Sequence, residues 1–123
     1  MFGKKKPAIS RERAFAAKPK KLPTVRVLPQ ENGGMRVTVT LTRPAVIRFL
    51  SSEATYEKTY ELDSVGRIVY DQCDGSRRVS LIVREFAKKY TIGEAEAETA
   101  VAQFLSMLMR KGLIAMSLED SNG

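Results

Sequence analysis

The hydrophobic period of the chain changes near residue 63, and this change limits the fold more than any other feature of the sequence. Between residues 22 and 62, apolar and polar residues alternate, a pattern typical of strands with one buried face. Between residues 63 and 111, apolar residues recur every three or four positions, as on the inner face of a helix. Strands followed by helices predict an α+β domain.

The alternating part predicts three strands. The turn sequence Asn32-Gly33-Gly34 supplies the positive φ angles of a hairpin, so the first two strands are expected to pair antiparallel. Pro44 ends the second strand, and residues 45–52 after it carry no clear pattern. The predicted strands are residues 25–27, 35–41 and 56–62.

The second part predicts three helices, at residues 64–74, 79–90 and 94–111. Asp63 or Ser64 can cap the first helix, and Gly75 is expected to end it. Gly112 closes the third helix, and the apolar segment 113–116 is compatible with a terminal strand. Because the last two helices form a helix-turn-helix, the predicted architecture is a winged helix-turn-helix, a three-stranded antiparallel sheet followed by three helices.

The net charge of +7 is confined to the N-terminal end of the chain. Residues 1–21 contain eight basic residues and one acidic residue, whereas residues 22–123 contain 13 of each. Since few large apolar side chains accompany that charge, residues 1–21 are predicted to be a disordered tail. Residues 22–118 are then the folded domain and residues 119–123 a frayed end. Removal of residues 1–21 is expected to leave the fold and any binding unchanged.

The missing residue types exclude several kinds of chemistry. The chain has no His and a single Cys, so it can build neither a His-based catalytic pair nor a multi-thiolate zinc site. That residue, Cys73, falls on the inner stripe of the first helix and is expected to be a buried thiol. No glycine-rich phosphate-binding loop is present. We therefore expect no enzymatic activity, no metal and no cofactor.

The sequence also bears on location. No apolar run reaches the roughly 20 residues needed to span a bilayer. The start of the chain lacks the apolar region of a signal peptide. A cytoplasmic protein without a membrane partner is predicted.

Between residues 60 and 114, the residue types occur in an order that is characteristic of one protein family, although each position alone is only weakly specific. The series comprises the run 60–75, then Val79, Ile82 and Phe86, then Phe104, Leu105, Leu108 and the run 112–114. Its most specific parts are Leu62-x3-Gly66 and Asp74-Gly75 before Val79-x2-Ile82. In this order the residues resemble the PqqD-like family, named after a pyrroloquinoline quinone biosynthesis protein, over roughly residues 56–116. One departure is Arg78, where the family usually has Thr as the cap of the second helix; Ser76 or Ser80 can substitute.

The resemblance implies a winged helix that binds peptides rather than DNA. In the family, the leader of a ribosomally made precursor peptide lies along the third strand beside the third helix and is handed to a radical SAM enzyme. The binding mode is strand addition, in which hydrogen bonds to an open sheet edge give affinity and side-chain pockets give specificity. No cofactor is implied. The implied peptide-binding residues are Lys58, Thr59, Tyr60 and Glu61 on the strand and Ala100, Phe104, Met107 and Lys111 on the helix, with the opposite helix flank of Glu98, Ala102 and Met109 as second choice.

A purely structural interpretation of these residues stays open. Phe104, Met107 and Met109 have the spacing and chemistry of ordinary core residues. Glu57 and Glu61 can simply protect an edge strand from aggregation.

The alternative function is a winged-helix DNA-binding transcriptional regulator. In such a protein the third helix enters the major groove, and the basic tail contacts phosphates. However, Glu94, Glu96 and Glu98 at the start of that helix would repel phosphates, and residues 22–123 carry no net charge. Nucleic-acid binding is therefore expected at most as weak contacts of the tail.

Overall fold

The structure of the chain, a computed structural model, describes residues 11–43, 45 and 53–118. The predicted frayed end at residues 119–123, the first ten residues of the predicted tail and nearly all of the unassigned stretch 45–52 lie outside the described residues. The elements are α1 (Arg11–Ala16), β1 (Lys18–Lys21), β2 (Arg26–Pro29), β3 (Met35–Thr42), β4 (Thr55–Leu62), α2 (Ser64–Asp71), α3 (Val79–Tyr90), α4 (Glu94–Arg110) and β5 (Ile114–Ser117).

β2, β3 and β4 form an antiparallel sheet in that order, with β3 at its centre. The register places Val37 of β3 opposite Tyr60 of β4. At the β2–β3 turn, Gly33 adopts a φ of 92°, and a side chain at Gly34 would collide with the carbonyl oxygen of Leu62. The α+β class, the hairpin and the three-stranded antiparallel sheet predicted from the sequence are therefore confirmed.

The helices begin and end for local reasons that differ in part from the prediction. Asp63 caps α2, because its side chain accepts a 2.7 Å hydrogen bond from the backbone N–H of Gly66. Gly75 does not end that helix. The C-cap is Gln72, and Gly75 (φ 84°) lies in the loop beyond it. α3 begins at Val79, and its N-cap residue, Arg78, makes no side-chain capping hydrogen bond, so neither proposed serine acts as the cap.

The core lies between one face of the sheet and the inner stripes of α2, α3 and α4. Met35, Val37 and Val39 of β3 join the helical residues in a single apolar cluster. Cys73, just beyond the C-cap of α2, is fully buried in the same cluster, as predicted. No helix in the described part of the chain is long and apolar enough to cross a membrane.

Residues 11–21, which the sequence analysis assigned to a disordered tail, form α1 and β1 instead. β1 pairs antiparallel with β5 to make a second, two-stranded sheet, so the terminal strand compatible with residues 113–116 is present at residues 114–117. On its other side, β1 is bonded to the loop before α3. The Lys21 N–H donates to the Cys73 carbonyl (3.1 Å), and the Gly75 N–H donates to the Pro19 carbonyl (2.8 Å).

The tail prediction was wrong for residues 11–21 because it weighed charge and ignored alternation. Ala17 and Pro19 point inward and are essentially inaccessible to solvent. Lys20 is exposed, and its aliphatic stem lies against Gly75. A lysine stem can cover apolar surface while the ammonium group stays in water, so a basic strand can belong to a folded core.

Candidate functional site

The second edge of β4 is open. β4 is the last strand of the three-stranded sheet, and no other strand in the described part of the chain pairs with its outer edge. All of its residues are exposed except Tyr60 and Leu62. An edge strand with unpaired backbone groups can accept a further strand.

The pairing of β4 with β3 determines which backbone N–H and C=O groups of β4 face the open edge. The Arg43 N–H donates to the Ala54 carbonyl (2.8 Å), which makes this a hydrogen-bonded pair just beyond the end of β4. Because hydrogen-bonded and non-hydrogen-bonded pairs alternate in an antiparallel ladder, Thr38 and Thr59 form a non-hydrogen-bonded pair. Their hydroxyl oxygens, 2.8 Å apart, have the close approach expected for such a pair. The residues whose backbone N–H and C=O groups face the open edge are therefore Thr55, Glu57, Thr59 and Glu61.

The side chains of Glu57 and Glu61 lie on the sheet face opposite the core, where each has a basic partner. Glu57 is 3.7 Å from Arg26, and Glu61 is 3.1 Å from Arg36. All four side chains are at least half exposed, so each pair contributes less than about 1 kcal/mol to stability. Their effect at the site is to neutralise the carboxylates of β4.

β4 and α4 meet at Tyr60. The Lys111 Nζ, just beyond the end of α4, lies 4.7 Å from the centroid of the Tyr60 ring, and the Lys58 Nζ lies 5.4 Å from it. Both distances are within the range of a cation–π contact. Three of the eight site residues predicted from the sequence are therefore brought together here.

The remaining predicted residues of α4 lie on the same helical face as Lys111. Ala100, Phe104 and Met107 are partly buried against the core. Gly66 lets the Phe104 ring approach α2, because a side chain at Gly66 would sit 3.3 Å from the ring. We use the name β4–α4 surface for the open edge of β4 together with Ala100, Phe104, Met107 and Lys111.

The opposite flank of α4 faces away from β4. Glu98, Ala102 and Met109 line a mainly apolar cleft of about 220 Å³ together with residues of α1, α3 and β5. Of the two flanks that the sequence left open, the first choice includes Lys111, which contacts Tyr60 of β4, whereas the second lines this cleft.

Two contacts of the site were not predicted from the sequence. One joins Gly66 to Phe104, which are 38 positions apart in the chain. The other is the cation–π contact of Tyr56 in β4, whose ring centroid lies 4.9 Å from the Arg43 guanidinium. The placement of Tyr56 and Tyr60 on one face of the strand does follow from the sequence, because side chains alternate along a strand.

Cys73 and Tyr70 are not part of this surface. Burial raises the pKa of the Cys73 thiol to about 12, although Lys21 acts in the opposite direction. Burial also raises the pKa of Tyr70. A thiol with so high a pKa is protonated at neutral pH and is a poor nucleophile. In the part of the chain that the structure describes, no three His, Cys, Asp or Glu residues are grouped so as to hold a metal ion.

Comparison with known proteins points to one family. The family model for coenzyme PQQ synthesis protein D (PqqD) matches residues 43–114, more than half of the chain, which include β4 and α2 to α4. A protein of Rhodopseudomonas palustris (strain BisB5) named PqqA binding protein is 31% identical over 86 residues, which are 66% of this chain and 84% of the relative. No solved structure matches the chain.

Proposed function

This chain belongs to the PqqD family, and from that membership we propose that it is a non-enzymatic, cytoplasmic adaptor that binds a ribosomally made precursor peptide. The relative from Rhodopseudomonas palustris is named for binding PqqA, which supports a partner of the same kind here. The observation that carries the proposal is the open edge of β4 beside a partly buried apolar flank of α4.

The proposed mode of binding is strand addition to β4. The outward N–H and C=O groups of Glu57, Thr59 and Glu61 offer hydrogen bonds to an extended peptide. Every second side chain of that peptide would face α4, where Phe104 and Met107 provide apolar contacts. The peptide-binding residues proposed from the sequence are retained on this basis: Lys58, Thr59, Tyr60, Glu61, Ala100, Phe104, Met107 and Lys111.

The proposed role is to present the bound peptide to a radical SAM modifying enzyme. The family resemblance motivates this partner. Strand addition is compatible with such a role, because an edge-bound strand keeps its outer edge available to a second protein. We also infer that α2, α3 and α4 with the sheet form a winged-helix arrangement, since α3 and α4 are joined by a turn of only three residues.

The test is an NMR titration of the full chain with the PqqA-type peptide encoded in the same genome. We expect chemical-shift changes that are largest at residues 55–61 of β4 and at Phe104, Met107 and Lys111. A titration that leaves these signals unchanged at millimolar peptide would contradict the proposal. So would submicromolar affinity for one DNA duplex over a scrambled duplex at physiological salt, which the alternative regulator function requires.

A further inference from the structure

Two lysines share one aromatic ring on the β4–α4 surface. The ammonium groups of Lys58 and Lys111 lie 5.4 Å and 4.7 Å from the centroid of the Tyr60 ring. They come from opposite sides of the surface, one from β4 and one from the end of α4. The two ammonium groups are therefore within about 10 Å of each other, where a bound peptide would lie.

Neither lysine is neutralised within the described part of the chain. The ion pairs found there join other residues, and no carboxylate pairs with Lys58 or Lys111. The nearest carboxylates in sequence, Glu57 and Glu61, point to the opposite face of the sheet, where arginines neutralise them. The β4–α4 surface therefore has an excess of positive charge beside Tyr60, and the like charges there repel each other.

We propose that the peptide recognised by this surface carries an Asp or Glu side chain whose carboxylate lies between Lys58 and Lys111, beside Tyr60. This inference rests on the proposed function and specifies the chemistry of its ligand. A carboxylate at this position would relieve the repulsion between the two ammonium groups and accept a charge-assisted hydrogen bond from each.

Strand alternation fixes what surrounds that carboxylate. In an added strand, residues two positions before and after it would face the same side of the sheet. On that side they would meet Phe104 and Met107, which are partly buried and apolar. The predicted recognition sequence is an acidic residue with apolar residues at a spacing of two.

The experiment is a selection of random 12-residue peptides, displayed on phage, with the full chain as the target. Peptides that bind the β4–α4 surface are identified by loss of binding to the Thr59→Pro variant. Among them, we expect one position to be enriched in Asp or Glu. Replacing that residue by its amide should weaken binding about 5- to 20-fold, and higher salt should reduce the difference.

Variants of the two lysines test the assignment. In K58M/K111M the acidic peptide and its amide should bind equally well, and selection on K58E/K111E should enrich Lys or Arg at the same position. The control is K88M/K89M, two exposed lysines on α3, which should retain the acidic preference. Circular dichroism and thermal unfolding of each variant establish that it is folded.

The outcomes separate this inference from the proposed function. If peptides bind in a Thr59→Pro-sensitive manner without an acidic position, the inference is overturned and the adaptor function stands. Acidic preference that persists in K58M/K111M also overturns the inference. If no peptide binds the surface at all, both the inference and the adaptor function are contradicted.

Discussion

Burial makes the Cys73 thiol unreactive. Its Sγ donates a hydrogen bond to the Val69 carbonyl (3.3 Å), and burial raises its pKa from 9.0 to about 12. The folded state thus favours the protonated thiol. The corresponding stabilisation is fully present below pH 9.0 and is lost as the pH rises through about 12.

We predict that this thiol is inert in the native chain. With a thiol-reactive disulfide reagent at pH 8, labelling of the native chain should be roughly 100-fold or more slower than labelling in 8 M urea. Native-state labelling at a rate close to that of the unfolded chain would contradict the burial described here.

The sequence predicted the role of a single residue correctly where that role depends on the pattern within one helix or strand. Asp63 as a helix cap and Cys73 as a buried residue were both predicted from local pattern. The contact of Gly66 with Phe104 was not, because it joins two helices far apart in the chain. The same is true of the two lysines at Tyr60, whose proximity depends on how α4 packs beside β4.

Among the elements, β1 differs most from expectation. It lies between β5 and the loop before α3, and its inward residue Pro19 is buried, as is Ala17 just before the strand. β1 is short and lysine-rich, so composition suggested a tail. Its partners lie more than 50 residues away, so nothing in its own sequence identifies them.

Removal of residues 1–21 should therefore destabilise the domain, contrary to the expectation from charge. The deletion removes backbone hydrogen bonds of Ala17, Pro19 and Lys21 and the pairing with β5. We expect the free energy of unfolding to fall by about 3 kcal/mol or more in a urea titration. A chain that begins at Arg11 keeps α1 and β1 and is the control against which this loss is measured. Equal stability of the full chain and the chain lacking residues 1–21 would show that β1 is dispensable.

A second prediction concerns peptide binding at the open edge of β4. The Thr59 N–H points away from β3, so Thr59→Pro should fold but weaken peptide binding about 5- to 30-fold, because it removes an edge donor and places a ring there. The proline also removes the hydroxyl contact with Thr38, and Thr59→Val is the matched control for that loss. Affinity measured by fluorescence anisotropy should be close to normal in Thr59→Val. Equal affinity of the proline and valine variants would argue against strand addition.

At the scale of the whole molecule, the net charge of the folded part differs from the value predicted from the sequence. Residues 11–21 contribute five basic residues and one acidic residue to the folded part, which is therefore basic rather than neutral. One objection to nucleic-acid binding is thereby weakened. The other remains, because Glu94 and Glu96 occupy the first turn of α4.

The order of strands and helices could be predicted because each element has its own local spacing of apolar residues. The partner of β1 and the side of α4 that faces β4 could not, because both are set by packing between distant segments. The central claim, that a peptide adds to β4, depends on this packing and not on the periodicity.

The most direct test of that claim is residue-resolved amide hydrogen exchange of β4 with and without the peptide. In the free chain, the amides of Glu57, Thr59 and Glu61 should exchange rapidly, while those of Lys58 and Tyr60 are protected by β3. With saturating peptide, we expect exchange at the three outward amides to slow about 10-fold or more, with the largest effect at Thr59. Unchanged exchange at these three amides, at a peptide concentration where binding is complete, would contradict strand addition at β4.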